Sequence, residues 1–141
     1  MIAKPLIIRL IKFSFVGISG IFINSLVLFL GHDILNLSLN IASPVAIIFA
    51  IYSNFNLNHY WTWRSRIDRS IKIYFNRLFR YYISAAIGGG INYIVLISCV
   101  YFFKINYLIA NLVGIAAGTL SNYLFSEFWI FKHKAIHFDR D

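Results

Sequence analysis

Apolar residues occur along the chain in four long runs that contain almost no charged residue. We place these runs near Phe13–Leu30, Ile41–Tyr60, Tyr81–Phe103 and Tyr107–Phe131. About 20 apolar residues are enough for a helix to cross the ~30 Å hydrocarbon core of a bilayer. The pattern therefore predicts an all-α membrane protein with four transmembrane helices.

The composition supports a membrane protein and argues against several other classes. Of the 141 residues, 60% are hydrophobic and only 13% are charged, whereas about a quarter are charged in a typical soluble domain. The single cysteine, Cys99, forms no internal disulfide. The sequence contains no glycine-rich phosphate loop, nucleophile elbow or spacing typical of metal ligands. We therefore expect no enzyme active site, no metal and no cofactor.

The basic residues predict the orientation of the four helices. Twelve of the 13 lie before the first run, between the second and third, or after the fourth; only Lys104 lies elsewhere. Because Lys and Arg are enriched in cytoplasmic loops, both termini are predicted to be cytoplasmic, in a multi-pass protein of the cytoplasmic membrane. This placement also accounts for the net charge of +8 without nucleic-acid binding.

The second half of the chain resembles the first. Residues 9–64 align without gaps to residues 77–132, with 14 identities in 56 columns that include matched Arg, Gly, Asn and Trp residues. Each copy contains two helices, so the copies point the same way across the membrane and form two parallel-repeat helical hairpins. We therefore treat residues 1–141 as one domain.

Each predicted helix carries a stripe of small residues that meets an asparagine. The asparagines at matched positions are Asn24 with Asn92 and Asn54 with Asn122. Small residues allow close helix contact in a membrane, and a buried amide needs a polar partner there. The four amides are therefore expected to face the interior of the bundle.

Two segments carry a resemblance to a known family. "RLIKFSFVGISGIFINSLVLFL" with "NIASPVAIIFAIYSNFNLNHYWTW" resembles the GtrA-like family of small four-span membrane proteins, and the second half follows the same pattern. The resemblance covers nearly the whole chain. It implies flipping of a polyprenyl-phosphate-linked sugar, such as an undecaprenyl-phosphate sugar, for cell-envelope polysaccharide glycosylation. It also implies a membrane glycosyltransferase as partner.

A lipid-linked sugar phosphate would need cations for the phosphate and a polar path for the sugar. The guanidinium fork suits phosphate, and Asn side chains donate to and accept from hydroxyls. The predicted phosphate-binding residues are Arg9, Lys12, Arg77, Arg80, Arg64 and Lys132. The predicted substrate path comprises Asn24, Asn54, Asn58, Asn92, Asn122, Glu127, Trp61 and Trp129.

Several alternatives stay open from the sequence. Rim cations also set topology, buried amides also hold helices together, and interfacial tryptophans also anchor a protein. His59 and Glu127 occupy matched positions and are expected to pair, to form a proton site or to be solvated at the interface. The alternative function is a non-transporting accessory subunit that recruits or stabilises a glycosyltransferase. A small multidrug transporter is disfavoured because no carboxylate lies deep in a span. A homo-oligomer is plausible because four helices enclose little space.

Overall fold

The computed structural model describes residues 3–132, with side chains from Pro5 onward. Within this part of the chain, four α-helices form a bundle in which the hairpins α1–α2 and α3–α4 each pack closely. Helix α2 also contacts α3, and α1 contacts α4, so the four helices form a ring. The helices are α1 Ala3–Phe29, α2 Leu39–Leu57, α3 Ile71–Tyr101 and α4 Tyr107–Phe125. The all-α membrane fold predicted from the sequence is confirmed.

Wider π-helical turns extend three of these helices. They comprise Leu30–Ile34 after α1, Asn58–Thr62 after α2 and Ser126–Ile130 after α4. With these extensions, every helix is long and apolar enough to span a membrane, and the shortest of the four spans contain 24 residues. At 1.5 Å per residue such a span is about 36 Å long, which exceeds the hydrocarbon core.

Helices α1 and α3 begin about ten residues earlier than their apolar runs predicted. The sequence placed their starts at Phe13 and Tyr81, whereas the structure places them at Ala3 and Ile71. The extra turns carry basic residues, which a hydropathy pattern excludes from a span. Two of these residues find partners at the end of the bundle, where Arg9 pairs with Glu127 and Arg77 donates to the main-chain oxygen of Arg66.

Several local features recur at a spacing of 68 residues. The left-handed backbone of Asn36 (φ 53°) is matched by that of Lys104 (φ 55°). Helices α2 and α4 also have starts and ends that differ by 68, as do the π-helical turns that follow them. These features support the predicted repeat, which stays a prediction of the sequence.

The buried core lies toward one end of the bundle, where the chain leaves α2 and α4. Seven buried side chains form this cluster: Phe13, Phe55, Trp63, Tyr81, Tyr123, Ile130 and Phe131. Many large apolar side chains on the outer faces of the helices are exposed. Exposed apolar faces are the expected arrangement for helices surrounded by lipid.

Candidate functional site

At one end of the bundle, the buried carboxylate of Glu127 pairs with arginines from distant parts of the sequence. Arg9 donates from Nε and Nη2 to the two oxygens of Glu127, at 2.9 and 2.8 Å. Arg66 donates from Nη2 to Oε1 at 2.6 Å, and the indole of Trp63 donates to Oε2 at 2.8 Å. Because Glu127 follows α4 and Arg9 lies in α1, this cluster joins the two hairpins.

Arg66 also holds the end of α4 through main-chain atoms. Its Nη1 donates to the carbonyl oxygens of Glu127 and Phe131, at 3.1 and 2.9 Å. The carbonyl oxygen of Arg66 accepts in turn from Nη1 of Arg77, at 2.9 Å. The Arg77 guanidinium is buried and lies 5.5 Å from the ring centre of Phe131. Arg9 and Arg66 therefore pair with Glu127, whereas Arg77 joins the cluster through the main chain of Arg66 and interacts electrostatically with Asp68.

Two further cations, which we call the rim cations, each lie over the ring of a tryptophan near the charged end of the bundle. Nζ of Lys12 lies 5.3 Å from the ring centre of Trp61, and the guanidinium of Arg80 lies 5.3 Å from that of Trp129. Both tryptophan side chains are partly exposed, at 46% and 37%. Such cation–π contacts hold an aromatic ring and a positive charge next to each other.

The last two predicted phosphate ligands, Arg64 and Lys132, are exposed. Arg64 lines an open surface depression of about 480 Å³ together with Lys12 and Trp61. Two of the predicted phosphate ligands, Lys12 and Arg64, therefore share one open depression.

An aromatic layer lies directly beneath the charged cluster. Trp63 and Phe131 stack with their ring centres 4.6 Å apart and their planes 9° from parallel. Phe13 packs edge-on against Trp63 and Tyr123, at 5.9 and 5.8 Å. The layer is well packed because the rings adopt the stacked and edge-to-face geometries that aromatic side chains favour.

A polar cavity of about 200 Å³ follows the aromatic layer inside the bundle. Asn54 of α2 and Asn122 of α4 line it, together with the hydroxyl-bearing residues Ser84, Thr119 and Tyr81. Ser84 donates to Oδ1 of Asn122 at 3.3 Å, whereas Oδ1 of Asn54 is buried without a hydrogen-bond partner. The cavity wall therefore combines amides and hydroxyls with apolar residues such as Phe13 and Ile51, and no charged side chain lines it.

The two cavity amides are seated against glycines of the preceding helix. A Cβ atom at Gly20 would overlap the Asn54 amide, and one at Gly88 would overlap the Asn122 amide. Each hairpin therefore uses a glycine to make room for an asparagine at the cavity. Close approach of this kind is the usual use of small residues between membrane helices.

An apolar groove runs along the outer surface between α3 and α4. It measures about 610 Å³, and its lining includes Ile91, Leu120, Leu124 and Trp129. Trp129 connects it to the cation Arg80, which lies over the same ring. The groove is thus mostly apolar, and the positive charge of Arg80 lies near one end of it.

A comparison with known families decides the identity of this four-helix unit. A model described as "GtrA/DPMS, transmembrane domain" matches residues 12–131. The chain belongs to this family. The resemblance predicted from the sequence is thereby confirmed, and this GtrA/DPMS-family protein is a multi-pass membrane protein.

A dolichol-phosphate mannosyltransferase of Pyrococcus furiosus is a relative of this GtrA/DPMS-family protein. The two sequences are 41% identical over 107 residues, which cover 76% of this chain but 29% of that relative. The chain therefore spans less than a third of the relative's length, and most of the mannosyltransferase lies outside the match.

The residues predicted to form the substrate path of this GtrA/DPMS-family protein do not line one continuous cavity. Only Asn54 and Asn122 line the polar cavity. Asn58 is buried nearby, where it donates to the Tyr81 hydroxyl and accepts from Thr62, both at 2.8 Å. The half-buried Asn92 packs against Gly114. The last amide, Asn24, is also half-buried and does not line the cavity.

Glu127 and His59 do not form the pair that their matched positions suggested. Glu127 is buried among arginines, so the expectation of a solvated carboxylate is wrong as well. His59 stacks on Phe55 at 5.6 Å and meets Tyr74 edge-on at 5.5 Å, and its Nδ1 has no hydrogen-bond partner. The two side chains differ because a carboxylate needs cations, whereas a neutral imidazole can pack among aromatic rings.

Sequence reasoning missed Arg66 and Trp63 as members of the charged cluster. A signal was available, because Glu127 is the only glutamate and lies within an otherwise apolar run. A buried carboxylate requires a cation or several donors. Which of the nearby arginines supplies them depends on how the hairpins pack. Lys134 and Arg140, which the orientation prediction also used, lie outside the described residues.

Proposed function

We propose that this protein moves a polyprenyl-phosphate-linked sugar across the cytoplasmic membrane for cell-surface polysaccharide glycosylation. The observation that carries the proposal is the uncharged polar cavity within a bundle of membrane-spanning helices. Polar groups inside a membrane are costly unless they are paired or serve a polar substrate. The unpartnered oxygen of Asn54 is such a group.

The chemistry of the cavity suits a sugar. Amides and hydroxyls both donate and accept hydrogen bonds, as sugar hydroxyls do. Asn54, Asn122 and Ser84 offer these groups from three different helices. The cavity is smaller than the about 300–1,000 Å³ of most ligand pockets. Passage therefore requires a more open conformation or further copies of the chain, and we retain a homo-oligomer in the proposal for this reason.

The other parts of a lipid-linked sugar phosphate have matching surfaces. The rim cations supply positive charge for the phosphate, and the α3–α4 groove supplies an apolar surface for the prenyl chain. The aromatic layer separates the cavity from the charged cluster, because Phe13 and Tyr81 belong to both the layer and the cavity wall. Entry from the charged end therefore requires these two rings to move.

Transport by purified protein in liposomes tests this proposal. We expect the protein to move a polyprenyl-phosphate sugar between leaflets and expect the double variant Asn54→Ala/Asn122→Ala to lose most of this activity. The matched control is Asn40→Ala/Asn111→Ala, which removes two exposed amides from the same helices. Normal transport by the cavity variant would contradict the proposed path, and no transport by folded wild-type protein would contradict the flippase.

The match to a mannosyltransferase favours a second candidate, the accessory subunit. In that relative the matched region is part of a protein whose name denotes a glycosyltransferase. We infer that this chain, in that case, holds a membrane glycosyltransferase near its lipid substrate without transferring sugar itself. Stable co-purification with a polyprenyl-phosphate glycosyltransferase, together with no flipping by the purified chain, would favour this function. Sugar transfer by the purified chain alone would contradict both candidates.

A further inference from the structure

The surroundings of the Glu127 carboxylate have the form of an anion-binding site. Two guanidinium groups and an indole N–H donate four hydrogen bonds to its two oxygens. One of the guanidinium groups, that of Arg9, binds as a two-pronged fork across both oxygens. Such forks recognise carboxylate and phosphate through the same geometry.

The charge of the cluster favours a further anion. Arg9 and Arg66 contribute two positive charges and Glu127 one negative charge, which leaves a net charge of +1. Arg77 adds a positive charge beside Arg66, and Asp68, which interacts electrostatically with Arg77, adds a negative one. The three arginines and two carboxylates therefore keep a net charge of +1, which attracts a phosphate group that can compete for the same donors.

We propose that Glu127 occupies a phosphate-binding site formed by Arg9, Arg66 and Trp63, and that an incoming phosphate ester displaces its carboxylate. The ligand chemistry is a phosphate monoester or diester. That it belongs to a polyprenyl lipid rests on the proposed function. Arg66 and Trp63 thereby become binding residues, and Glu127 acts as an internal competitor that holds the site until phosphate arrives.

The exchange would loosen the contact between the two hairpins. Glu127 connects the end of α4 to Arg9 of α1 and to Arg66 in the α2–α3 connection. It lies in the π-helical turn Ser126–Ile130, and such turns often occur at functional sites. The matched position in the first half is His59, which provides no equivalent carboxylate. The displacement therefore has one location in the bundle, directly above the aromatic layer.

Ligand binding to the full-length protein in nanodiscs of neutral lipid tests this proposal. We would measure the Kd of a polyprenyl phosphate, of the matching polyprenol and of inorganic phosphate for wild type and Glu127→Gln. Removal of the competing charge is expected to tighten binding of polyprenyl phosphate about tenfold. Binding of polyprenol is expected not to change. An accompanying gain for inorganic phosphate would show that the site accepts phosphate without the lipid, whereas a gain for polyprenyl phosphate alone would identify the headgroup.

The matched control is Asp33→Asn, which removes one negative charge from an exposed position away from the cluster. An equal gain in this control, an equal gain for polyprenol, or no gain for either phosphate ligand would overturn the proposal.

If Glu127→Gln does not fold, Arg66→Gln decides the question, because it leaves the pair between Arg9 and Glu127 in place. We expect Arg66→Gln to lose most of the preference for polyprenyl phosphate over polyprenol, and an unchanged preference would overturn the proposal. These binding measurements are independent of transport. A protein that shows the exchange but flips no lipid would contradict only the proposed flippase.

Discussion

Two buried polar side chains, Glu127 and Asn54, differ in whether their oxygens accept hydrogen bonds. The Glu127 carboxylate accepts hydrogen bonds from three side chains, and its surroundings neutralise it. Oδ1 of Asn54 is buried beside a cavity and has no hydrogen-bond partner. The Glu127 carboxylate therefore stabilises the ligand-free bundle, whereas the buried Asn54 oxygen gains a partner only where the bundle opens or repacks around it.

The saturated carboxylate predicts a large effect on stability. We expect Glu127→Ala to lower the free energy of unfolding by about 2–4 kcal/mol, because it leaves the two arginines without their counter-charge in a largely buried place. We expect the control Asp33→Ala, at an exposed position, to change it by no more than about 0.5 kcal/mol. Unfolding in detergent micelles, followed by circular dichroism, measures both. Equal stability of the two variants would show that the cluster contributes little.

The sequence indicates which polar residues face the interior more readily than it indicates their hydrogen-bond partners. The matched positions of Asn54 and Asn122 correctly indicated that both amides face the interior. The partner of Glu127 was not predictable in the same way, because Arg9 is 118 residues away in the sequence. Its position depends on how α1 meets α4, and no local pattern encodes that contact.

At the scale of the helices, glycines decide how closely the hairpins pack. A Cβ atom at Gly118 would lie 2.5 Å from the main-chain oxygen of Gly88, which cannot move aside as a side chain can. Gly89 and Gly90 have no atom within 4 Å of the corresponding position. The three consecutive glycines of α3 therefore have different surroundings. Only Gly88 faces the neighbouring helix, and α3 is continuous through all three.

This difference predicts opposite effects of the same substitution. We expect Gly118→Ala to destabilise the bundle by about 1–3 kcal/mol, because the added methyl group forces α3 and α4 apart. We expect Gly90→Ala to be neutral or to stabilise by up to about 1 kcal/mol, because alanine favours a helix more than glycine does. Melting temperatures in one detergent compare the two variants. A lower melting temperature for Gly90→Ala than for Gly118→Ala would contradict this account of the packing.

The number of helices was predictable, but two of their starts were not. Charge-free apolar runs of sufficient length can hardly form anything except membrane helices, so the count of four followed from hydropathy. The same criterion placed the predicted starts of α1 and α3 directly after a basic residue, Lys12 in one case and Arg80 in the other. Arg9 and Arg77 nevertheless lie inside α1 and α3, because their side chains find partners at the end of the bundle.

At the scale of the whole molecule, charged cluster, aromatic layer and polar cavity follow one another along the bundle. The aromatic layer lies between the other two, since Phe13 and Tyr81 also line the cavity. This order gives the bundle a charged end and an opposite end that contains the exposed Asp33 and Lys104. Access of a lipid phosphate from the cytoplasmic leaflet to the charged cluster depends on which end faces the cytoplasm.

Labelling of single cysteines in cells determines this orientation. The background is Cys99→Ser, which removes the only cysteine. Ser65 lies at the charged end and Asp33 at the opposite end, and both are exposed. Because positive charges are retained in the cytoplasm, we expect a membrane-impermeant maleimide to label Asp33→Cys in intact cells. We expect it to label Ser65→Cys only after the membrane has been permeabilised. The reverse result would place the arginine cluster outside, where it could not receive a lipid phosphate from the cytoplasmic leaflet.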